Sequence, residues 1–74
     1  MKFVVVETQK SADGSVATIA TVHEGRNEAE QKYHNVLSYA AVSSLPCHSA
    51  IMFDECSNYV KAEAFVHEQP EVEA

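Results

Sequence analysis

The sequence predicts an α+β domain of order ββαββ: a four-stranded antiparallel sheet with one helix packed on one face. Three observations carry this. Two runs rich in β-branched residues flank Asp13-Gly14, one central segment repeats apolar residues at three- and four-residue spacing, and two more strand-like runs follow Pro46.

Phe3 to about Thr8 is an apolar, β-branched run, long enough for a strand and too short for a helix. Asp13-Gly14 then signals a hairpin, because glycine tolerates the positive φ that tight turns require. The second strand is expected over Val16 to His23. Gly25-Arg26 ends it, and Asn27-Glu28-Ala29-Glu30 offers a capping residue followed by a glutamate able to reach back to its amide. The predicted helix runs from Asn27 to Ser44, with Ala29, Tyr33, Val36, Leu37, Ala40 and Ser44 as its apolar stripe and Glu28, Lys32 and Asn35 outward. Leu45-Pro46 marks its end, since a residue before proline is pushed out of helical geometry. The third strand is expected from His48 or Ser49 to Glu55, a tight connection at Cys56-Ser57-Asn58, and the fourth strand from Tyr59 to His67, with a period of two. A strand order of 2-1-3-4 buries the most apolar strand and permits a right-handed crossover.

The 74 residues make one domain, expected over residues 1–67, with 68–74 as an acidic disordered tail. A chain this short buries only about 60% of its unfolded surface when folded alone, so a disulfide, a metal or self-association is expected to supplement the core. Eleven acidic residues against five basic ones give a net charge of −6, which opposes binding to a phosphate backbone, so no nucleic-acid partner is expected. Glu68, Glu71 and Glu73 place part of that charge in the tail. No apolar run approaches the roughly 18 residues of a spanning helix, and MKFVVVETQ lacks the features of a signal peptide. The expectation is a cytoplasmic, reduced protein with no membrane role.

A single helix of this length, about 27 Å, covers one face of a four-stranded sheet and leaves the other without a cover. If Val4, Val6, Val60, Ala62, Ala64 and Val66 meet the helix, then Phe3, Val5, Ile19, Ile51, Phe53, Tyr59 and Phe65 point away from it; the phase can also be reversed. In either phase large apolar side chains lack an intramolecular cover. That predicts an interface formed from those seven residues and a homodimer or higher homo-oligomer.

Chemical sites are harder to support. Zinc would draw on Cys47, His48 and Cys56 with His34, His23 or His67, but closely spaced ligand pairs are absent and adjacent residues of a strand point to opposite faces. A thiol nucleophile assisted by His34, with Asp54 or Glu55 as a third group, is not selected by any spacing. Only two glycines occur, so no phosphate-cradling loop is present. The histidines fit polar surface as well as a pH switch. The reading is therefore a protein that is not an enzyme, with no cofactor, no metal and no catalytic residue.

The segments KFVVVETQKSADGSVATIATVHEGRNEAEQKY and KYHNVLSYAAVSSLPCHSAIMFDE resemble a group of short uncharacterised proteins of Firmicutes phages and prophages, over residues 2–67. The residues that carry the resemblance are structural: Asp13-Gly14, Tyr33-His34 and the small-residue run into Pro46 and His48. Cysteine at position 47 is not a residue the group would require. The resemblance implies no activity, cofactor or catalytic residue. The uncovered face makes a non-enzymatic, self-associating protein–protein interaction module the leading expectation, and the resemblance adds to it the role of a phage accessory factor in a bacterial host cell that binds a host or phage protein. The alternatives are a small virion or assembly component, and a metal- or thiol-dependent protein using Cys47, Cys56 and His34 or His48.

Overall fold

The computed structural model describes residues 1–67; residues 68–74, where the acidic tail is expected, lie outside the described residues. Strands β1 (Phe3–Lys10) and β2 (Val16–His23) precede helix α1 (Arg26–Ala41), and strands β3 (Cys47–Asp54) and β4 (Tyr59–Val66) follow it. All four strands form one antiparallel sheet in the order β2-β1-β3-β4. This is the predicted α+β ββαββ fold and the predicted order. No helix among the described residues is long and apolar enough to cross a membrane.

The central strand is β1, paired along its whole length with β2 on one side and β3 on the other. Its β-branched content suits that place, where neighbours crowd each side chain. The first hairpin closes through the Ser11 amide donating to the Ser15 carbonyl at 2.8 Å and the Gly14 amide donating to the Ser11 carbonyl at 3.0 Å. Gly14 takes φ of 91°, as the turn demands. Asp13 Oδ1 accepts from the Ser15 amide and hydroxyl at 2.9 and 2.8 Å, and these bonds hold its carboxyl below the usual range. The second hairpin uses the same device: Asp54 Oδ1 accepts from the Cys56 and Asn58 amides at 2.8 and 3.0 Å. Ser57 is left at φ of 67°, in the left-handed region.

The helix lies over β3, flanked by β1 and β4, with β2 at its margin. Ala29, Tyr33, Val36 and Ala40 are its buried stripe; the first three meet Val5, Ala50 and Met52 of the sheet, with Phe3, Leu37 and Val60 packed around them. Alanine at both ends of the stripe lets the helix sit close. Lys61 then ties β4 to the helix, its Nζ 2.8 Å from Glu30 Oε1 and 5.6 Å above the centre of the Tyr33 ring.

Both helix ends differ from expectation. The helix starts at Arg26 behind Gly25, which is extended at φ of −142° and offers no side-chain cap. Asn27 therefore lies inside the first turn, and Glu30 does not reach back because Lys61, Arg26 and His34 engage its carboxylate. At the other end the helix stops at Ala41, three residues before Ser44. The Val42 and Ser43 amides donate to the carbonyls three residues back, Tyr39 and Ala40, which tightens and ends the last turn. His67 Nε2 lies 2.7 Å from the Ala40 carbonyl, so the end of β4 helps satisfy the helix terminus.

The phase of the sheet is the larger correction. Val5 stands opposite Met52, and both are buried beneath the helix. By alternation, Phe3, Val5 and Ile19 share the helix side, as does Phe65, the partner of the buried His48. Ile51, Phe53 and Tyr59 alone of the seven expected interface residues lie on the open face. Val4, Val6, Ala62, Ala64 and Val66 join them there, while Val60 sits at an irregularity between Met52 and Phe53 and packs on the core.

Met52 is fully buried at the centre of this core, so Met52→Ala is expected to cost about 2–5 kcal/mol in a denaturant titration. Ser57→Gly is expected to raise stability by about 0.5–1 kcal/mol, the relief of a left-handed penalty of about 1–2 kcal/mol less the extra backbone entropy that glycine loses.

Candidate interaction surface

The pairing register arranges the open face in four rows across the order β2, β1, β3, β4. The first is Val22, Val4, Phe53 and Tyr59; the second Ala20, Val6, Ile51 and Ala62; the third Thr18, Thr8, Ser49 and Ala64; the fourth Val16, Lys10, Cys47 and Val66. Lys10 alone carries a formal charge, and it stands in the outermost row. Val16, Val22, Tyr59 and Val66 are each more than 60% exposed, so the apolar surface extends to both margins. Four strands spaced about 4.8 Å apart and eight residues rising about 3.4 Å each give a face of about 19 by 27 Å, about 500 Å² in projection. The apolar part of that face, its first two rows and the margins, is of the order of the largest patches found on soluble proteins, which are often functional.

The helix side carries the charged chemistry. His48, 5% exposed, has its Nε2 2.6 Å from Glu7 Oε2, and Gln9 Nε2 donates to the same oxygen at 2.8 Å. Burial works to raise the Glu7 carboxyl, but the bonds from His48 and Gln9 outweigh it and hold the group below the usual glutamate range. His48 Nδ1 is buried and has no hydrogen-bond partner among the described residues. Residues this polar on the helix side were not legible in the sequence, where Glu7 is only one position of the first strand. The one available signal was its odd-numbered phase with Val5.

Cys47 and His48 do point to opposite faces, Cys47 beside Lys10 on the open side and His48 under the helix. Cys56 is exposed in the second hairpin, and neither thiol is bonded to another. His34 is exposed on the outer helix surface, 3.3 Å from Glu30. The residues considered for zinc or for a thiol nucleophile are thus not brought together, and no group of three metal-ligating side chains occurs among the described residues. A shallow groove of about 390 Å³ lies between helix and β2, lined by His23, Glu28, Gln31, Lys32 and Asn35. Its mixed charges select no ligand class.

The folded-state carboxyl of Glu7 is depressed, so the stability it contributes is complete above the ordinary glutamate range and is lost as pH falls below it. Glu7→Gln is expected to flatten the acid limb of a stability–pH curve between about pH 3 and pH 5. His48→Ala removes one of the two donors to the part-buried Glu7 carboxylate, leaving only Gln9, and is expected to cost about 1–3 kcal/mol at pH 7, read by denaturant unfolding. Comparison of the chain with family models, with curated proteins and with solved structures finds no match in any of the three.

Proposed function

We propose that the chain is a non-enzymatic, self-associating protein–protein interaction module that uses the open face of its sheet. The observation that carries this reading is the near absence of charge from the open face, whose first two rows are apolar throughout, in a chain whose net charge is −6. A surface evolved for water would alternate polar residues along each strand. Here the alternation puts Glu7, Gln9, His48, Lys61 and Glu63 on the helix side, while the open side holds valine, alanine, isoleucine, phenylalanine and tyrosine with the uncharged Thr8, Thr18 and Ser49, and Lys10 alone as a charge.

Two such faces brought together bury about 1,000 Å², the lower end of what a stable specific interface needs. The small side chains of Ala20, Ala62 and Ala64 allow close approach, while Phe53 and Tyr59 supply the large anchors that dominate interface energetics. A second chain is the partner that matches the face in area and in lack of charge. A phage accessory role with a host or phage protein as a further partner rests on the sequence resemblance alone.

Light scattering on the reduced, full-length protein is expected to give at least a dimer whose mass does not change with a chelator. Phe53→Asp and Ile51→Asp, on the open face, are expected to lower that mass, because an unpaired charge in a dry interface costs about 3–5 kcal/mol. Phe65→Asp, on the helix side, is expected to destabilise the fold instead. Unchanged mass in both open-face variants would reject the reading.

A further inference from the structure

The two edges of the sheet are built differently. Edge strand β4 carries Lys61 and Glu63, and its pairing with β3 is broken by an irregularity between Met52 and Phe53. Charge and bulges are the devices by which an edge is kept from pairing with another chain. Edge strand β2, VATIATVH, has neither. Its eight residues pair with β1 without a register shift, and from Val16 to Val22 no side chain is charged.

The direction of its free backbone groups follows from the hairpin. The Ser11 amide donates to the Ser15 carbonyl, so Ser11 and Ser15 are a hydrogen-bonded pair. Such pairs recur every second residue in an antiparallel ladder, which turns the amides and carbonyls of Ala17, Ile19 and Thr21 toward β1. Those of Val16, Thr18, Ala20 and Val22 point outward, with no strand beside them among the described residues.

From this we infer that β2 is a self-pairing edge: it joins the β2 of a second copy, antiparallel across a two-fold axis normal to the sheet, to form one eight-stranded sheet. Residues directly opposite must share a face, which restricts the register. Placing Ile19 opposite its own copy sets Thr18 against Ala20 and Val16 against Val22, apolar or hydroxyl-bearing side chains throughout. About eight backbone hydrogen bonds result. Ile19, 49% exposed on the helix side, would close on its symmetry mate. Shifting the axis to Ala20 would instead place Val16 against Glu24, so charge disfavours that register. This pairing does not depend on the open-face reading. Where the two-fold axis of this pairing crosses that of the open-face pairing, the two together close a tetramer.

Ile19 lies off the open face, which makes it the residue to test. Ile19→Lys and Ile19→Glu are each expected to run at half the wild-type assembly mass, and an equimolar mixture of the two to regain it, since like charges repel and opposite ones attract across the pair. In a Cys47→Ser/Cys56→Ser background, Ile19→Cys is expected to form a disulfide-linked dimer at least ~10-fold faster than Val16→Cys, because a non-hydrogen-bonded pair opposite itself brings its Cα atoms to about 4.5 Å, within disulfide reach. Wild-type mass in both charged variants, equal cross-linking at the two positions, or a wild-type monomer overturns the inference. Failure of the open-face reading is separate: it leaves Phe53→Asp at the wild-type mass while Ile19→Lys still halves it.

Discussion

One helix of sixteen residues has to close the core of a four-stranded sheet, and the rest of the structure depends on where it lies. It sits over β3, so that Ala29, Tyr33 and Val36 reach Val5, Ala50 and Met52, and the sheet margin at β2 is the least covered. A sheet must cover its apolar face with another layer. This chain has one such layer for two faces. The open face, with Phe53, Ile51, Val6 and Val4 across its middle, and the β2 margin are the direct remainder of that shortage.

Electrostatic contacts hold the helix in that place. Lys61 reaches from β4 to Glu30 while lying over the Tyr33 ring, and the Lys61 hydrogen bond with Arg26 nearby keeps Glu30 below the usual carboxylate range. Beneath the helix, Glu7 and His48 join β1 to β3 through side chains that an apolar pair could replace with greater gain in burial. Buried ionisable pairs of this kind add little net stability. They do set register: slipping β1 against β3 by one residue would expose one partner to the open face and leave the other alone under the helix.

The charged and apolar parts of the molecule are thus separated by the sheet itself. The helix side takes up Glu7, His48, Lys61 and Glu63, and the open side is left almost free of charge. Charge is likewise divided between the edges, present on β4 and absent from β2. An uncharged edge and a face with a single charge, Lys10, are surfaces along which sheets associate. The proposed self-association would use both of these surfaces.

The element order was legible in the sequence because each element rests on local physics. Asp13-Gly14 can hardly be anything but a turn, the 29-33-36-40 spacing writes a helix, and Pro46 bars that helix from continuing into β3. The strand order followed from the same patterns, since β1 is the strand most able to bear neighbours on both sides. Helix ends were less legible: Glu30 has a capping geometry in sequence, but Lys61, far away in the chain, competes for it. The candidate face was legible as a quantity of uncovered apolar surface and not as a set of residues. Ile51, Phe53 and Tyr59 belong to it, whereas Phe3, Val5, Ile19 and Phe65 lie on the other side, and their alternation alone is symmetric between the two choices. Only the tertiary structure breaks that symmetry, because the phase depends on which face of the paired strands the helix covers, and strands separated by 37 (Lys10 to Cys47) to 51 (Phe3 to Asp54) residues of chain are brought together only with the helix packed against both.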